Sequence, residues 1–346
     1  MTLRSPRSLR DDLALGGRIT AMRLGGLALA VRGDPVARLL HKPWRLDPYP
    51  TYAGIRAAGL ARSRVGLSAV GTHALCEQVL RDRRFGVRLA DGRPPFAPGE
   101  RSADEAEPSL LEPVNLSLLG TDPPDHTRLR RLAAPTFTPK RLASYRTVAE
   151  EITGKLLDAA AARGRFDLVR DLAAPLPITV IARLLAIPSV DAARFARWGR
   201  ALATALDGVR SVTHAHELAR TTAEARELFT DLVDRRRADP GDDVVSQLVG
   251  ALDSGQMSLD ELVSLAQLLL VAGFETTTNL VGNAVRAMQT TPGQWEALVT
   301  DPSLATGAVE ETLRYDPPVQ LTARVAHEDT ELAGVPFRRN WGVLVL

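Results

Sequence analysis

Leu268-Leu-Leu-Val-Ala-Gly-Phe274 runs straight into Glu275-Thr276-Thr277-Thr278, and this join decides how the chain is read. The first seven residues are apolar on every side of a helix, which predicts burial all round. Upstream, Ser258-Leu-Asp-Glu261 is a capping box, with the serine oxygen satisfying an early backbone amide and Glu261 reaching back. Downstream, the periodicity meets no strong breaker before Thr290, just ahead of Pro292. The spacing predicts one helix over 258–290, roughly 48 Å long, far above the usual length. Its middle breaks local rules. Gly273 costs about 1 kcal/mol relative to alanine in a helix, three threonines are modest helix formers, and a carboxylate beside a buried run is costly unless paired, protonated or hydrated. Such violations mark functional sites. A packing explanation stands beside that one: Gly273 permits close helix approach, and Glu275 pairs with a buried arginine.

The rest of the chain is read around this rod. It has 346 residues, 45% of them hydrophobic, enough for a large core. A net charge of +2 and 5% aromatic residues do not point to nucleic acid. One cysteine, Cys76, excludes an intramolecular disulfide and fits a reducing cytoplasm. Strand signals are few and early: Leu60 to Val70 reads as a hairpin turning at Gly66. A short helix is expected over Thr72–Arg81, an exposed loop over Pro94–Pro113, and long amphipathic helices over Leu142–Arg163, Pro177–Leu185, Val190–Leu206 and Thr213–Arg237. Pro292 opens a further helix, and another follows Asp301-Pro302. Residues 1–45 form a basic arm. Its apolar run, Leu24 to Val31, is too short to span a bilayer; it reads as a surface helix, with loose contact to an acidic membrane as the sharper alternative.

Three stretches carry chemistry. Ala272-Gly273-Phe274-Glu275-Thr276-Thr277 places an acid beside an alcohol, the pair needed to relay protons into a dry site. Glu310-Glu311-Thr-Leu-Arg314-Tyr-Asp-Pro-Pro318 puts Glu311 and Arg314 on one helix face. Thr121-Asp-Pro-Pro-Asp125-His126-Thr-Arg128-Leu-Arg130-Arg131 puts His126 and Arg130 four apart at a helix start, where they suit carboxylates. In this order, and with Asp47-Pro-Tyr-Pro50, Phe85 and Leu321-Thr-Ala-Arg324 around them, the motifs resemble the bacterial cytochrome P-450 family over about residues 46–335. The resemblance implies a mainly α fold with a small β region, the cytochrome P-450 fold, in a domain over 46–346. It implies haem (iron protoporphyrin), gripped at its propionates by His126, Arg130 and Arg324, with Ala272 and Gly273 leaving room for dioxygen. Glu275 and Thr276 are then the catalytic pair, and Glu311–Arg314 a structural ion pair. The implied activity is monooxygenation of an apolar small-molecule substrate by a monomer, with electrons from NAD(P)H through a ferredoxin-type partner. Arg128, Arg131, Lys140 and Arg141 are candidate contacts for that partner, or simply solubilising charges.

One element departs from the pattern. The family's axial cysteine lies in a glycine-rich loop near the C-terminus, where its thiolate favours O–O cleavage. Here the sequence reaches Gly342-Val-Leu-Val-Leu346 without that loop, so the expectation is a C-terminally truncated fold with no metal ligand of its own. Cys76 sits in His73-Ala-Leu-Cys-Glu-Gln78 without flanking glycines and reads as an inert core cysteine. The alternative function is therefore an inactive helical remnant that acts at most as a binding or interaction protein. A hydrolase is not supported: Gly66-Leu-Ser68-Ala-Val-Gly71 misses the nucleophile-elbow spacing, and His214 and His216, two apart, share no helix face for zinc.

Overall fold

The structure, a computed structural model, describes residues 9–95, 115–185, 187, 197–199, 201–202, 204 and 209–346. The loop expected over Pro94–Pro113 and the helix expected over Val190–Leu206 lie largely outside these residues.

The chain opens with α1 (Leu9–Val31) and α2 (Pro35–Leu40). The apolar run at Leu24–Val31 is thus the end of a 23-residue helix. The longer Arg10–Val31 stretch is long and apolar enough to cross a membrane by length and composition, while the Leu24–Val31 run by itself stays short of a span. Asp34 caps α2 by accepting the amide of Ala37 at 3.0 Å, and it also accepts Ser63 Oγ and the amide of Arg64. One carboxylate therefore ties the arm to the first hairpin. Val36 and Leu39 of α2 pack in one cluster with Ile55, Ala69 and Leu344.

After α3 (Tyr49–Ala58) the expected hairpin forms from β1 (Leu60–Arg62) and β2 (Leu67–Val70), with Gly66 at φ +86° in its turn. The short helix α4 (His73–Arg81) follows, capped by Thr72, and then β3 (Phe85–Gly86). The last quarter of the chain corrects the reading that strands are confined to the early part. It supplies β4 (Thr322–Ala326), β5 (Thr330–Leu332), β6 (Val335–Phe337) and β7 (Gly342–Val345). The main sheet has the order β1-β2-β7-β4-β3, with β7 parallel to β2 and antiparallel to β4. All four residues of β7 are buried, as befits a central apolar strand. Gly342 lacks the side chain that would run into Leu67 in the facing strand.

Between the sheet strands lies the helical body: α5 (Asp125–Ala133), α6 (Pro139–Arg163), α7 (Pro175–Leu184), α8 (Val212–Ala238), α9 (Val244–Asp253), α10 (Leu259–Thr290), α11 (Gln294–Thr300) and α12 (Ala305–Tyr315). Their shared core includes Leu129, Ile178, Trp198, Phe229, Leu248, Leu262, Leu265, Leu270 and Phe274.

α10 is the predicted rod. Both capping-box bonds form: Ser258 Oγ accepts the Glu261 amide at 3.2 Å, and Glu261 accepts the Ser258 amide at 2.8 Å. Arg128 donates to both Glu261 oxygens, so the cap is also a tie to α5. Burial encloses Leu262–Gln267 on all sides and becomes one-sided beyond them. Leu262, Leu265, Ala266, Leu270 and Phe274 are buried, but Leu268 and Leu269 are half-buried and Ala272 is exposed. The apolar middle is not enclosed all round, because nothing among the described residues covers that flank.

Candidate functional site

The uncovered flank of α10 is a stripe. Leu268, Ala272, Thr276, Asn279, Asn283 and Arg286 follow at spacings of three and four, which places them on one helix face. All six are half-buried or exposed, within a helix whose opposite face is core. Ala272 and Thr276 are one turn apart at its centre, and the Thr276 hydroxyl donates to the Ala272 carbonyl. Glu275 is half-buried beside them, and no hydrogen bond or ion pair joins its carboxylate to another described residue. The buried arginine considered as its partner is absent among the described residues.

Gly273 points elsewhere. A Cβ there would run into the Ile181 side chain of α7, so the glycine lets two helices approach, and the open stripe is served by Ala272 instead. The contact favours the packing explanation for Gly273. Thr278 is also structural. It is buried, and its hydroxyl donates to Ala173 O at 3.0 Å and to Phe274 O at 2.9 Å. Ala173 ends a π-helical turn over Val169–Ala173, whose widened ladder leaves a carbonyl in need of a donor.

Asp122 sets the position of α5. It accepts the amides of Val87 and Arg88 beyond β3, each at 2.9 Å to the nearer oxygen, while its own carbonyl accepts the His126 amide at 3.0 Å. His327, following β4, lies 3.6 Å from the same carboxylate. Gly86 leaves the space that the His327 ring and Asp122 occupy. The start of α5 is thereby fastened beside β3 and β4, and β4 carries Arg324. The Arg324 guanidinium is half-buried and donates to Thr322 Oγ1 at 3.1 Å and Ala323 O at 2.8 Å. Burial pulls its proton affinity down, Asp122 being the acid that opposes this, yet no carboxylate lies within ion-pair distance among the described residues. His126 is half-buried and Arg130 exposed on one face of α5, and their side chains have no partner among the described residues.

The remaining candidates separate cleanly. Glu311 and Arg314 form a two-pronged pair at 2.6 and 2.7 Å, within one helix and with both side chains mostly exposed. Arg128 pairs with Glu261 and Asp125, and Arg141 with Asp242, so both make ion pairs within the chain. Arg131 and Lys140 stay exposed. Cys76 is half-buried; its thiol donates to Leu346 O at 3.4 Å, and burial pushes its pKa up, which suits a structural thiol rather than a thiolate ligand.

Sequence reading missed a second polar centre. Asp316 is buried and receives Tyr49 Oη at 2.7 Å and Arg286 at 2.7 Å, while Asn283 donates to its carbonyl at 2.8 Å. Burial, with the bond to Asp316 second, pushes the Tyr49 phenol up. These groups line a cleft of about 420 Å³ that opens along the lower half of the stripe. They come from α3, α10 and the end of α12, far apart in sequence, so no local spacing announces them.

Together, a helical body, a small late-closing sheet and a long central rod with an alcohol and an acid beside its open flank describe a mainly α protein. The comparisons agree. No protein-family model matches the chain. Cytochrome P450 107B1 of Saccharopolyspora erythraea is 38% identical over 279 residues, covering 79% of this chain and 67% of that protein. The cytochrome P450 monooxygenase PikC of Streptomyces venezuelae is 38% identical over 317 residues, covering 89% of this chain and 72% of that protein. The crystal structure of CalO2 superposes with a TM-score of 0.79 at 33% identity, covering 89% of this chain and 76% of that one. The chain belongs to the cytochrome P450 family, whose members are haem-dependent oxidoreductases of the monooxygenase class, acting on small molecules with the help of redox partners.

The residues present fit one edge of a haem. A half-buried guanidinium without a carboxylate is costly to keep, and among the described residues Arg324 is in that state beside a helix bearing two further basic side chains without partners. A porphyrin's two carboxylates meet that need. The axial sulfur is a different matter: Cys76 is the chain's one cysteine, and it is engaged with the sheet.

Proposed function

We propose that this chain inserts one atom of dioxygen into an apolar small molecule, with electrons from NAD(P)H delivered through a ferredoxin-type partner. The observation that carries the reading is the open stripe on α10, where Thr276 and Glu275 flank an otherwise apolar face at Ala272. His126, Arg130 and Arg324 would hold the haem carboxylates, and the haem when bound would supply the activation of oxygen. The protein's share is proton handling. Thr276 holds its hydroxyl proton against the Ala272 carbonyl and offers the oxygen as an acceptor. Glu275, with no partner among the described residues, is placed to pass protons towards it. Ala272 keeps that face small. Arg131 and Lys140 are the exposed cations available to an acidic partner. Residues 1–45 act as a basic arm on a monomeric 46–346 domain in the cytoplasm.

The test is hemin titration of the purified chain, recording ferric, ferrous and ferrous–carbon-monoxide spectra, with Arg324→Ala alongside. Saturable uptake, weakened about tenfold by loss of one charge-assisted contact, supports the reading. A thiolate-type Soret band would report a sulfur ligand, and product formed from an apolar substrate would complete the case. A second reading is favoured by one observation, the engagement of Cys76 with Leu346 and Val70. On that reading the chain is an inactive helical binding protein, and absence of any hemin uptake would select it.

A further inference from the structure

α1 has an apolar face that the fold does not use. Leu13, Leu24, Leu27 and Val31 are 68%, 63%, 40% and 66% exposed. At the helical rotation per residue these four fall within roughly 60° of one another, with Gly17 and Thr20 between them. They form one continuous seam along the helix. A different face of α1 is pinned to the body. Ala30 is fully buried, Gly26 packs against the His41 ring, and Asp12 meets His216 at 2.9 Å. Arg23 donates to Arg210 O at 3.3 Å. A helix held along one side in this way cannot cross a bilayer, although its length and composition suffice. It can lie on one.

The charges choose the occupant. Arg10, Arg18 and Arg32 are exposed and flank the seam on the side away from the pinned face. The nearby Asp12 is occupied by His216. An apolar seam edged by arginines matches the acyl–headgroup boundary of an anionic membrane. A second copy of the chain matches it less well, because the arginine edges would face each other and the seam's middle is Gly17 and Thr20 rather than interlocking leucines. We propose that α1 docks this protein on an anionic lipid surface, with Leu13, Leu24, Leu27 and Val31 at acyl depth and Arg10, Arg18 and Arg32 among the headgroups. This attachment is peripheral and independent of any haem chemistry.

The experiment is co-sedimentation of the full chain with vesicles of phosphatidylcholine alone and of equal parts phosphatidylcholine and phosphatidylglycerol, at low and high salt. Binding is expected to the anionic vesicles, to weaken at high salt, and to fall about tenfold in Leu24→Glu and again in Val31→Glu. Both positions face solvent, so circular dichroism and the melting temperature should be unchanged, which separates lost docking from lost folding. A salt-sensitive loss in Arg18→Glu would support the headgroup contact. Equal binding to neutral vesicles, indifference to Leu24→Glu, or no vesicle binding would each overturn the proposal. So would a wild-type dimer that Leu24→Glu converts to monomer, which would give the seam to a second copy.

Discussion

Asp122 accepts the backbone N–H of Arg88 at 2.9 Å, and its other oxygen does the same for Val87. One side chain therefore fastens the helix bearing His126 and Arg130 to the strand layer bearing Arg324. Replacing it by alanine strands two backbone donors and releases that register. Asp122→Ala is expected to lose about 1–3 kcal/mol of stability, the usual cost of unpaired buried donors, seen as a lower urea midpoint at unchanged slope. Hemin affinity should fall with it. An unchanged midpoint would mean that water replaces the carboxylate at both amides.

The threonines of α10 should separate stability from chemistry. Thr278 is the donor to Ala173 O across helices, so Thr278→Val leaves that carbonyl unpaired and should cost about 1–3 kcal/mol. Among the described residues, Thr276 bonds only within its own helix, on the open face. Thr276→Ala should therefore change stability by no more than about 0.5 kcal/mol. In a haem-loaded, reducible form it should divert electrons from product to peroxide. Calorimetry of both variants, and the ratio of product to electrons consumed for Thr276→Ala, check the two halves. Tight coupling in Thr276→Ala would remove that residue from the proton path.

Local chemistry was what the sequence made legible. The capping box at Ser258 and Glu261 and the turn at Gly66 are each decided by neighbours a few residues away, and both appear where spacing places them; the helix expected over Thr72–Arg81 appears as His73–Arg81 with Thr72 as its cap. The helices read at Leu142–Arg163 and Thr213–Arg237 appear as Pro139–Arg163 and Val212–Ala238, since their periodicity is strong and a glycine or charged break ends each. Pairings between distant segments were not legible. β7 lies beside β2 because of burial and register across the whole chain, and nothing in Gly342-Val-Leu-Val345 names that partner. The one-sided burial of α10 beyond Gln267 is likewise set by what packs against it, as the run Leu268–Phe274 is itself equally apolar around the axis. Gly273 had two readings until Ile181 was seen against it. Nothing local to Asp122 announces its role either, because its partners, the Val87 and Arg88 amides, sit past a strand some way upstream.

Gln267 lies on α10 at 2% exposure, and neither its amide nitrogen nor its amide oxygen has a partner among the described residues. A primary amide buried without partners is destabilising, and methionine fills a similar volume without polar atoms. Gln267→Met is expected to stabilise the chain by about 1–3 kcal/mol, raising the melting temperature. A fall instead would indicate that an ordered water satisfies the amide and that removing it opens a void.

The Arg128–Glu261 tie gives stability a defined acid limb. The Arg128 hydrogen bonds, and after them the Ser258 amide, hold the Glu261 carboxyl below its ordinary value of 4.5. A carboxyl depressed in the folded state contributes stability that is complete above about pH 4.5 and is lost as pH falls through the lower folded-state value. Protonation there also undoes the cap of α10, because a neutral acid is a weaker acceptor for the Ser258 amide and for Arg128. Wild type should therefore exceed Glu261→Gln by about 1 kcal/mol near neutral pH. The gap should close progressively below about pH 4.5, and thermal melts of both proteins across that range check it. A gap that persists unchanged into strong acid would mean that Glu261 acts through packing rather than through its charge.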